Sequence, residues 1–139
     1  MRDLLITIDG PAGAGKTTVS RRLAERLGYR YIDTGALYRG LALAVERAGV
    51  PAADPQAVEA LCRGLRLTFQ RAPDGALQLF LGDEEIGARI RTPAISLLAS
   101  SISAQPGVRR CLLDLQRELG HAGGAVFEGR DMGTVVFPS

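Results

Sequence analysis

Apolar residues along this chain follow first one rhythm and then another. Residues 4–9 form a short, nearly continuous apolar run ending in Asp9, which predicts a strand buried on both faces. From Lys16 the spacing becomes helical. Val19, Leu23, Ala24 and Leu27 make one stripe to about residue 27, Arg21, Arg22, Glu25 and Arg26 face water, and Gly28 is the stop. Tyr29 to Ile32 predicts a second strand, so the opening is a βαβ unit, right-handed by the usual rule. Asp33-Thr34-Gly35 then turns into a helix from about Ala36 to Ala48, with Leu37, Leu41, Ala44 and Val45 at helical spacing and Gly49 as its end. Asp54-Pro55 supplies a cap and a first-turn proline for a third helix, with Val58, Leu61 and Cys62 inward.

After Gly64 the period drops to two. Leu65, Leu67 and Phe69 alternate with polar residues, Pro73-Asp74-Gly75 turns, and Leu77, Leu79 and Leu81 alternate again. Gly82-Asp83 makes a second turn before Ile86. This is an antiparallel hairpin with room for a third strand. Such a hairpin is foreign to a parallel core, so residues 60–90 are expected to form a small β-rich insert between core segments 1–59 and 91–139. Thr92-Pro93 opens a fourth helix with Ile95, Leu98, Ala99 and Ile102 inward. Pro106 and Gly107 break it, and Val108, Leu112, Leu115 and Leu119 line a fifth, ended by Gly120. Ala125 to Glu128 predicts another core strand, followed by the polar loop Gly129-Arg130-Asp131-Met132-Gly133. Strands alternating with helices imply an α/β fold, a parallel sheet flanked by helices in three layers.

Composition narrows the function classes. The 139 residues suffice for one domain with a small insert, and 46% hydrophobic with 23% charged is globular usage. A net charge of +2, with no basic run of five, is too little to argue for nucleic acid. Cys62 and Cys111 fit neither a zinc spacing nor a disulfide framework, and their apolar helical settings predict buried, reduced thiols. Arg2 and Asp3 precede too short an apolar run for a signal peptide, and no run approaches a membrane span. The expectation is a cytoplasmic protein with neither nucleic acid nor membrane as partner.

The candidate chemistry starts at Gly10-Pro11-Ala12-Gly13-Ala14-Gly15-Lys16-Thr17-Thr18, which follows the first strand and opens the first helix. This is the context a phosphate-binding P-loop requires, G-x-x-x-x-G-K-[ST]. Gly10, Gly13 and Gly15 let backbone N–H groups curl inward, and the helix aims the positive end of its dipole at the curl. Lys16, the only lysine among seventeen basic residues, is a cation for the β/γ-phosphates, and the Thr17 hydroxyl is a ligand for Mg²⁺. A glycine-rich turn with a solvated lysine is the alternative, and the strand and helix on either side argue against it.

In open parallel sheets, ligands sit beyond the carboxyl ends of the strands. Besides the P-loop, Asp33 through Arg39 and Glu128 through Asp131 belong to that edge. Arg39, one turn into its helix, reads either as a fork onto a phosphate or as a solvated arginine. Asp33 reads as an N-cap, compatible with a place at the site. Arg130-Asp131, a charged pair after a buried strand, is either used or locked in an internal ion pair. Glu128 is a carboxylate near the expected Mg²⁺, acting through water. Asp74, Asp83, Glu84 and Glu85 read as turn and solvated-face residues, and His121 as a surface residue at a helix end.

The stretches "ITIDGPAGAGKTT", "YIDTGALYR", "RTP…S" and "GRDMGTVVFP" together resemble bacterial cytidylate kinase, a P-loop nucleoside monophosphate kinase family. The P-loop is common to many phosphate-binding proteins, while the second and last stretches are far more specific. The resemblance runs over essentially the whole chain. It implies transfer of the ATP γ-phosphoryl to CMP or dCMP, with ATP and Mg²⁺ bound at Gly13, Gly15, Lys16 and Thr17. It implies that Thr34 and Arg39 belong to the monophosphate site, that Arg39, Arg109 and Arg130 grip the CMP phosphate, and that Ser100, Arg109 and Asp131 meet the cytosine and the sugar. Ser101 and Ser103 are near neighbours of Ser100 in that assignment. Residues 60–90 correspond to the family's enlarged nucleotide-binding insert.

Members of that family extend to somewhat over two hundred residues. The further C-terminal strands and the arginine-bearing lid are therefore expected to be absent from these 139 residues, with the P-loop strand left at a sheet edge. The completed enzyme would be a monomer, and an exposed edge would invite self-association. A nucleotide-binding fragment without turnover is the rival function. Another small P-loop kinase is a third, against which the β-rich insert and "GRDMGTVVFP" both count.

Overall fold

The computed structural model describes residues 5–9, 16–73, 77–120 and 124–129. The chain is α/β. Its elements in order are β1 (Leu5–Asp9), α1 (Lys16–Leu27), β2 (Arg30–Asp33), α2 (Thr34–Ala48), α3 (Pro55–Gly64), β3 (Leu67–Arg71), β4 (Leu77–Leu81), β5 (Glu84–Glu85), α4 (Pro93–Ser103), α5 (Pro106–Gly120) and β6 (Ala125–Gly129). They fall into two compact units, residues 1–34 with 114–139, and residues 35–113.

The first unit is built on a parallel sheet in the order β1-β6-β2. The strands of the opening βαβ unit are therefore not neighbours. Composition explains why β6 takes the middle: Ala125, Val126 and Phe127 are completely buried, whereas β2 reads Arg-Tyr-Ile-Asp and buries only Ile32. A strand apolar on both faces belongs where helices or strands cover it on every side. Among the described residues β1 pairs on one side only, with β6.

Helix α1 packs on all three strands, through only part of the stripe its apolar residues suggest. Among residues 18–27 of the helix, Ser20 and Ala24 are buried, Leu23 is half-buried, and Val19 and Leu27 are 58% and 42% exposed. Small residues at 20 and 24 let the helix approach the sheet, which turns Val19 about a quarter-turn away at 100° per residue. The helix ends in a Schellman motif: Gly28 takes φ +67, Tyr29 N–H donates to Ala24 O at 2.9 Å and Gly28 N–H to Glu25 O at 3.3 Å. The Arg30 guanidinium caps a carbonyl at the end of α5, donating to Leu119 O at 3.0 Å. Arg21 lies over the Tyr31 ring, 5.3 Å from its centroid.

The second unit sets α2 and α3, α4 and the start of α5 with an antiparallel sheet, β3-β4-β5. Leu67 pairs with Leu81 and Phe69 with Leu79, and Gly82, at φ +62, opens the two-residue turn into β5. Its core includes Leu37, Leu41, Val45, Val58, Ile86, Ile102, Val108 and Leu112, all essentially sealed from solvent. Asp54 and Thr92 cap α3 and α4 as their sequences predict, accepting from Ala57 N–H and Ile95 N–H, both at 3.2 Å.

Several boundaries differ from the sequence reading, among them the end of β6, which runs to Gly129 rather than Glu128. Strand β2 runs one residue later and includes Asp33, and α2 starts at Thr34 with no intervening turn. Pro106 is the first residue of α5 rather than a break before it, as its fixed φ and missing N–H allow. No described helix is long and apolar enough to cross a membrane.

Candidate functional site

Helix α1 begins at Lys16, directly after the glycine-rich residues and beyond the carboxyl end of β1. No acidic residue occupies its first turn to quench the positive helix end. Gly10, Pro11, Ala12, Gly13, Ala14 and Gly15 lie outside the described residues, as do Arg130 and Asp131. Lys16 and Thr17 are described as helix backbone, and Thr18 beside them is exposed.

Register places two acid-bearing positions side by side at this edge. Glu128 of β6 lies opposite both Ile8 of β1 and Asp33 of β2, and Asp9 lies opposite Gly129. Glu128 and Asp33 thus stand level on neighbouring strands, and Asp9 stands one register step further, level with Gly129 at the end of β6. The sequence reading took in Glu128 and Asp33 but not Asp9, whose place beside the end of β6 only the parallel register shows. Among the described residues no group of three His, Cys, Asp or Glu side chains is gathered closely enough to hold a metal ion. Thr34, at the start of α2, is buried at 6% exposure and engaged in an interaction of its own.

The second unit holds Arg39, Ser100 and Arg109. Arg39 is half-buried on α2 and has an interaction partner. Arg109 is exposed at the end of the first turn of α5, which has no acidic residue to balance it. Ser100 is exposed on α4, and its carbonyl accepts the Ser103 hydroxyl at 2.9 Å. Tyr38, the residue before Arg39, is the group that sequence reasoning passed over. Burial pushes its phenol above the ordinary value, the Arg109 charge pulls it back, and Cys62 pushes it up again. The structure therefore brings Tyr38 of α2 into the electrostatic reach of Arg109 on α5 and of Cys62 on α3. The signal was available in "DTGALYR", where the tyrosine adjoins the arginine, but its neighbours on α3 and α5 are far away in sequence.

A strand, a glycine-rich passage carrying the G-x-x-x-x-G-K-T sequence and a helix, set on a parallel sheet, define a P-loop α/β protein. A family model described as "Cytidylate kinase" matches residues 6–139. The chain is 56% identical over 138 residues to a protein named cytidylate kinase from Syntrophotalea carbinolica, covering 99% of this chain and 58% of that protein. It is 50% identical over 137 residues to one of the same name from Symbiobacterium thermophilum, covering 99% of this chain and 61% of that protein. A bifunctional pantoate ligase/cytidylate kinase from Parasynechococcus marenigrum is 46% identical over 137 residues, which are 99% of this chain and 27% of that protein. The chain belongs to the cytidylate kinase family. It spans about three fifths of the length of the cytidylate kinases from Syntrophotalea and Symbiobacterium.

Proposed function

We propose that this chain belongs to a cytoplasmic nucleoside monophosphate kinase that transfers the ATP γ-phosphoryl to the 5′-phosphate of CMP or dCMP. The observation that carries this is the family match across residues 6–139, in a chain whose P-loop sequence stands between a parallel strand and a helix. The acceptor phosphate is already ionised, so the reaction needs no strong general base. The protein's work is positioning and charge neutralisation.

Lys16 faces the β/γ-phosphates in this scheme, over the backbone N–H groups of Gly10 to Gly15, with Thr18 beside them. Arg39, Arg109 and Arg130 hold the CMP phosphate, and Ser100, Arg109 and Asp131 meet the base and sugar. Thr34 lines the monophosphate side, and residues 60–90 act as the nucleotide-binding insert. Arg109 supports this: a cation in the first turn of a helix opposes the dipole by about 0.3–1 kcal/mol, a placement that makes sense beside an anionic ligand. The donor set also fits Mg²⁺. Thr17 supplies a hard hydroxyl oxygen, and Glu128 and Asp33, opposite one another in the register of β6 and β2, are hard carboxylates. Bound there with ATP, Mg²⁺ would neutralise charge on the transferring phosphoryl group.

A coupled assay of ADP production with CMP as acceptor, set beside calorimetric titrations with CMP and ATP, tests the proposal. ADP release dependent on CMP, and its loss in Lys16→Ala with CMP binding retained, is the expected result. A preference for AMP, UMP or shikimate would overturn the acceptor assignment, and CMP binding without ADP release would overturn phosphoryl transfer by this chain.

A further inference from the structure

Helix α5 starts at Pro106, and Arg109 closes its first turn by donating its backbone N–H to Gln105 O at 3.1 Å. The place of Arg109 is therefore set by what holds Gln105. The Gln105 N–H makes a local bond, to Ile102 O of α4 at 3.0 Å. Its side chain reaches much further. Gln105 Nε2 donates to Ala52 O at 2.7 Å, across 53 residues of sequence, in the connection between α2 and α3. Only the amide nitrogen can face a carbonyl, so this bond fixes which way the side-chain amide points. The connection is itself closed by a turn, Asp54 N–H donating to Pro51 O at 3.0 Å, where Asp54 caps α3.

A second attachment lies on α3. Glycine at 107 brings the first turn of α5 against Glu59: a Cβ built on it would stand 3.2 Å from the Glu59 Cβ and closer still to the carboxylate. Glu59 Oε1 in turn lies 3.6 Å from Arg110 Nη2. The start of α5 is thus held at residues 105, 107 and 110 by the segment 52–59. Between these points Arg109 is exposed, and among the described residues no carboxylate is paired with its guanidinium, whereas Arg110 beside it is taken up by Glu59. The anchoring fixes the backbone of Arg109 and leaves its side chain for a ligand. Gln105 Oε1 is sealed from solvent with no partner among the described residues. A buried acceptor left unbonded opposes stability, so packing alone does not account for a glutamine here.

We infer that Gln105 is a positioning residue for the acceptor nucleotide: through its bond to Ala52 O it holds the first turn of α5 where the Arg109 guanidinium meets the acceptor phosphate. This rests on the reading of Arg109 as an arginine of the CMP site. Gln105 itself touches no nucleotide and acts through Arg109. An arginine whose helix turn must first be ordered loses part of its binding free energy to that ordering, and a turn anchored beforehand removes the loss.

Calorimetric titration of the whole chain with CMP, and separately with ATP, gives the test. Gln105→Ala should weaken CMP binding by about two- to tenfold, the range of one net hydrogen bond, and leave ATP binding unchanged. Gln105→Met keeps the length and packing of the stem without the donor and should weaken CMP binding alike, which covers an alanine variant that folds poorly. In the coupled assay the KM for CMP should rise while kcat and the KM for ATP stay nearly constant. Added to Arg109→Ala, either Gln105 substitution should have no further effect on CMP binding, because the group it positions is gone. Penalties that add in the double variant, a loss shared equally by CMP and ATP, or CMP binding unchanged in both Gln105 variants would each overturn the inference and leave the acceptor reading in place. A wild-type chain that does not bind CMP would overturn that reading and the inference with it.

Discussion

Gly40 of α2 lies so close to Leu67 of β3 that a Cβ built on it would come within 3.0 Å of the leucine Cδ2. Leu79 Cδ2 at 3.3 Å and Ile86 Cδ1 at 3.5 Å close the same space. The helix therefore rests on the antiparallel sheet through a bare backbone, and the residue is glycine for contact rather than for conformation.

Two effects oppose one another at this position. Alanine improves helix propensity by about 0.8–1 kcal/mol over glycine. Overpacking a closed core costs about 1–3 kcal/mol. The methyl of Gly40→Ala meets the end of a flexible leucine, so a net loss near 1 kcal/mol is expected by this balance. Gly40→Val adds two further carbons to the same gap and a β-branch to the helix, and should lose clearly more. Denaturant unfolding of the two variants checks the order, and a Gly40→Val chain as stable as the wild type would refute the contact.

The caps of α3 and α4 are separable contributions. Asp54→Ala and Thr92→Ala each remove one acceptor for an orphan N–H and should each cost about 1 kcal/mol, while Asp54→Asn and Thr92→Ser recover most of it. The two sites are on different helices, so the double variant should be nearly additive. Equilibrium denaturation measures all of these, and an Ala variant matching its conservative partner would show that the side-chain oxygen contributes nothing.

Glu84, read from the sequence as a solvated-face residue, is held by two arginines. Arg47 donates to its two oxygens at 2.7 and 3.0 Å, and Arg89 Nε lies 3.0 Å from Oε2. The hydrogen bonds from Arg47 hold its carboxyl below the ordinary value of 4.5. A lowered acid contributes stability that is present above its unfolded value and is lost as pH falls through the folded one. Wild type should thus lose stability in acid more steeply than Glu84→Gln, with the two curves converging at low pH and the gap narrowing in high salt. Thermal unfolding across pH 3–7 reads this, in the window set by that ordinary value. Parallel curves would remove Glu84 from the acid response.

Arg109 and Tyr38 offer a spectroscopic test. Removing the arginine charge removes the influence that lowers the Tyr38 phenol, so Arg109→Ala should raise its titration further. Because the phenol is raised in the folded state, its contribution to stability is present below the ordinary value of 10.0 and lost as pH climbs through the folded one. Tyrosinate absorbance of Arg109→Ala, with Tyr38→Phe subtracted, follows the shift among three tyrosines. An unchanged or lower titration would separate the two residues. If the proposed acceptor site is right, Arg109→Ala also raises KM for CMP by tenfold or more, as loss of a charge-assisted hydrogen bond of about 1.5–3 kcal/mol implies.

The kinds of element and most of their ends are legible in the amino-acid order. Gly28 and Gly49 stop helices because a left-handed C′ residue satisfies the last carbonyls, and Asp54 and Thr92 start them by accepting an orphan N–H. These are local contacts, complete within a few residues, so a linear reading finds them. Its short motifs likewise carried the family resemblance, because strand, glycine-rich residues and helix are contiguous. What each buried face meets is settled instead by the three-dimensional packing. It set β6 between β1 and β2, turned Val19 outward, gave Glu84 its arginines and laid α2 on the sheet at Gly40. Hydrophobic periodicity reports that a face leaves water, and the energy of doing so is nearly indifferent to the partner. The partner is chosen by close packing between segments distant in sequence, where a missing Cβ or a completely apolar strand decides which surfaces fit.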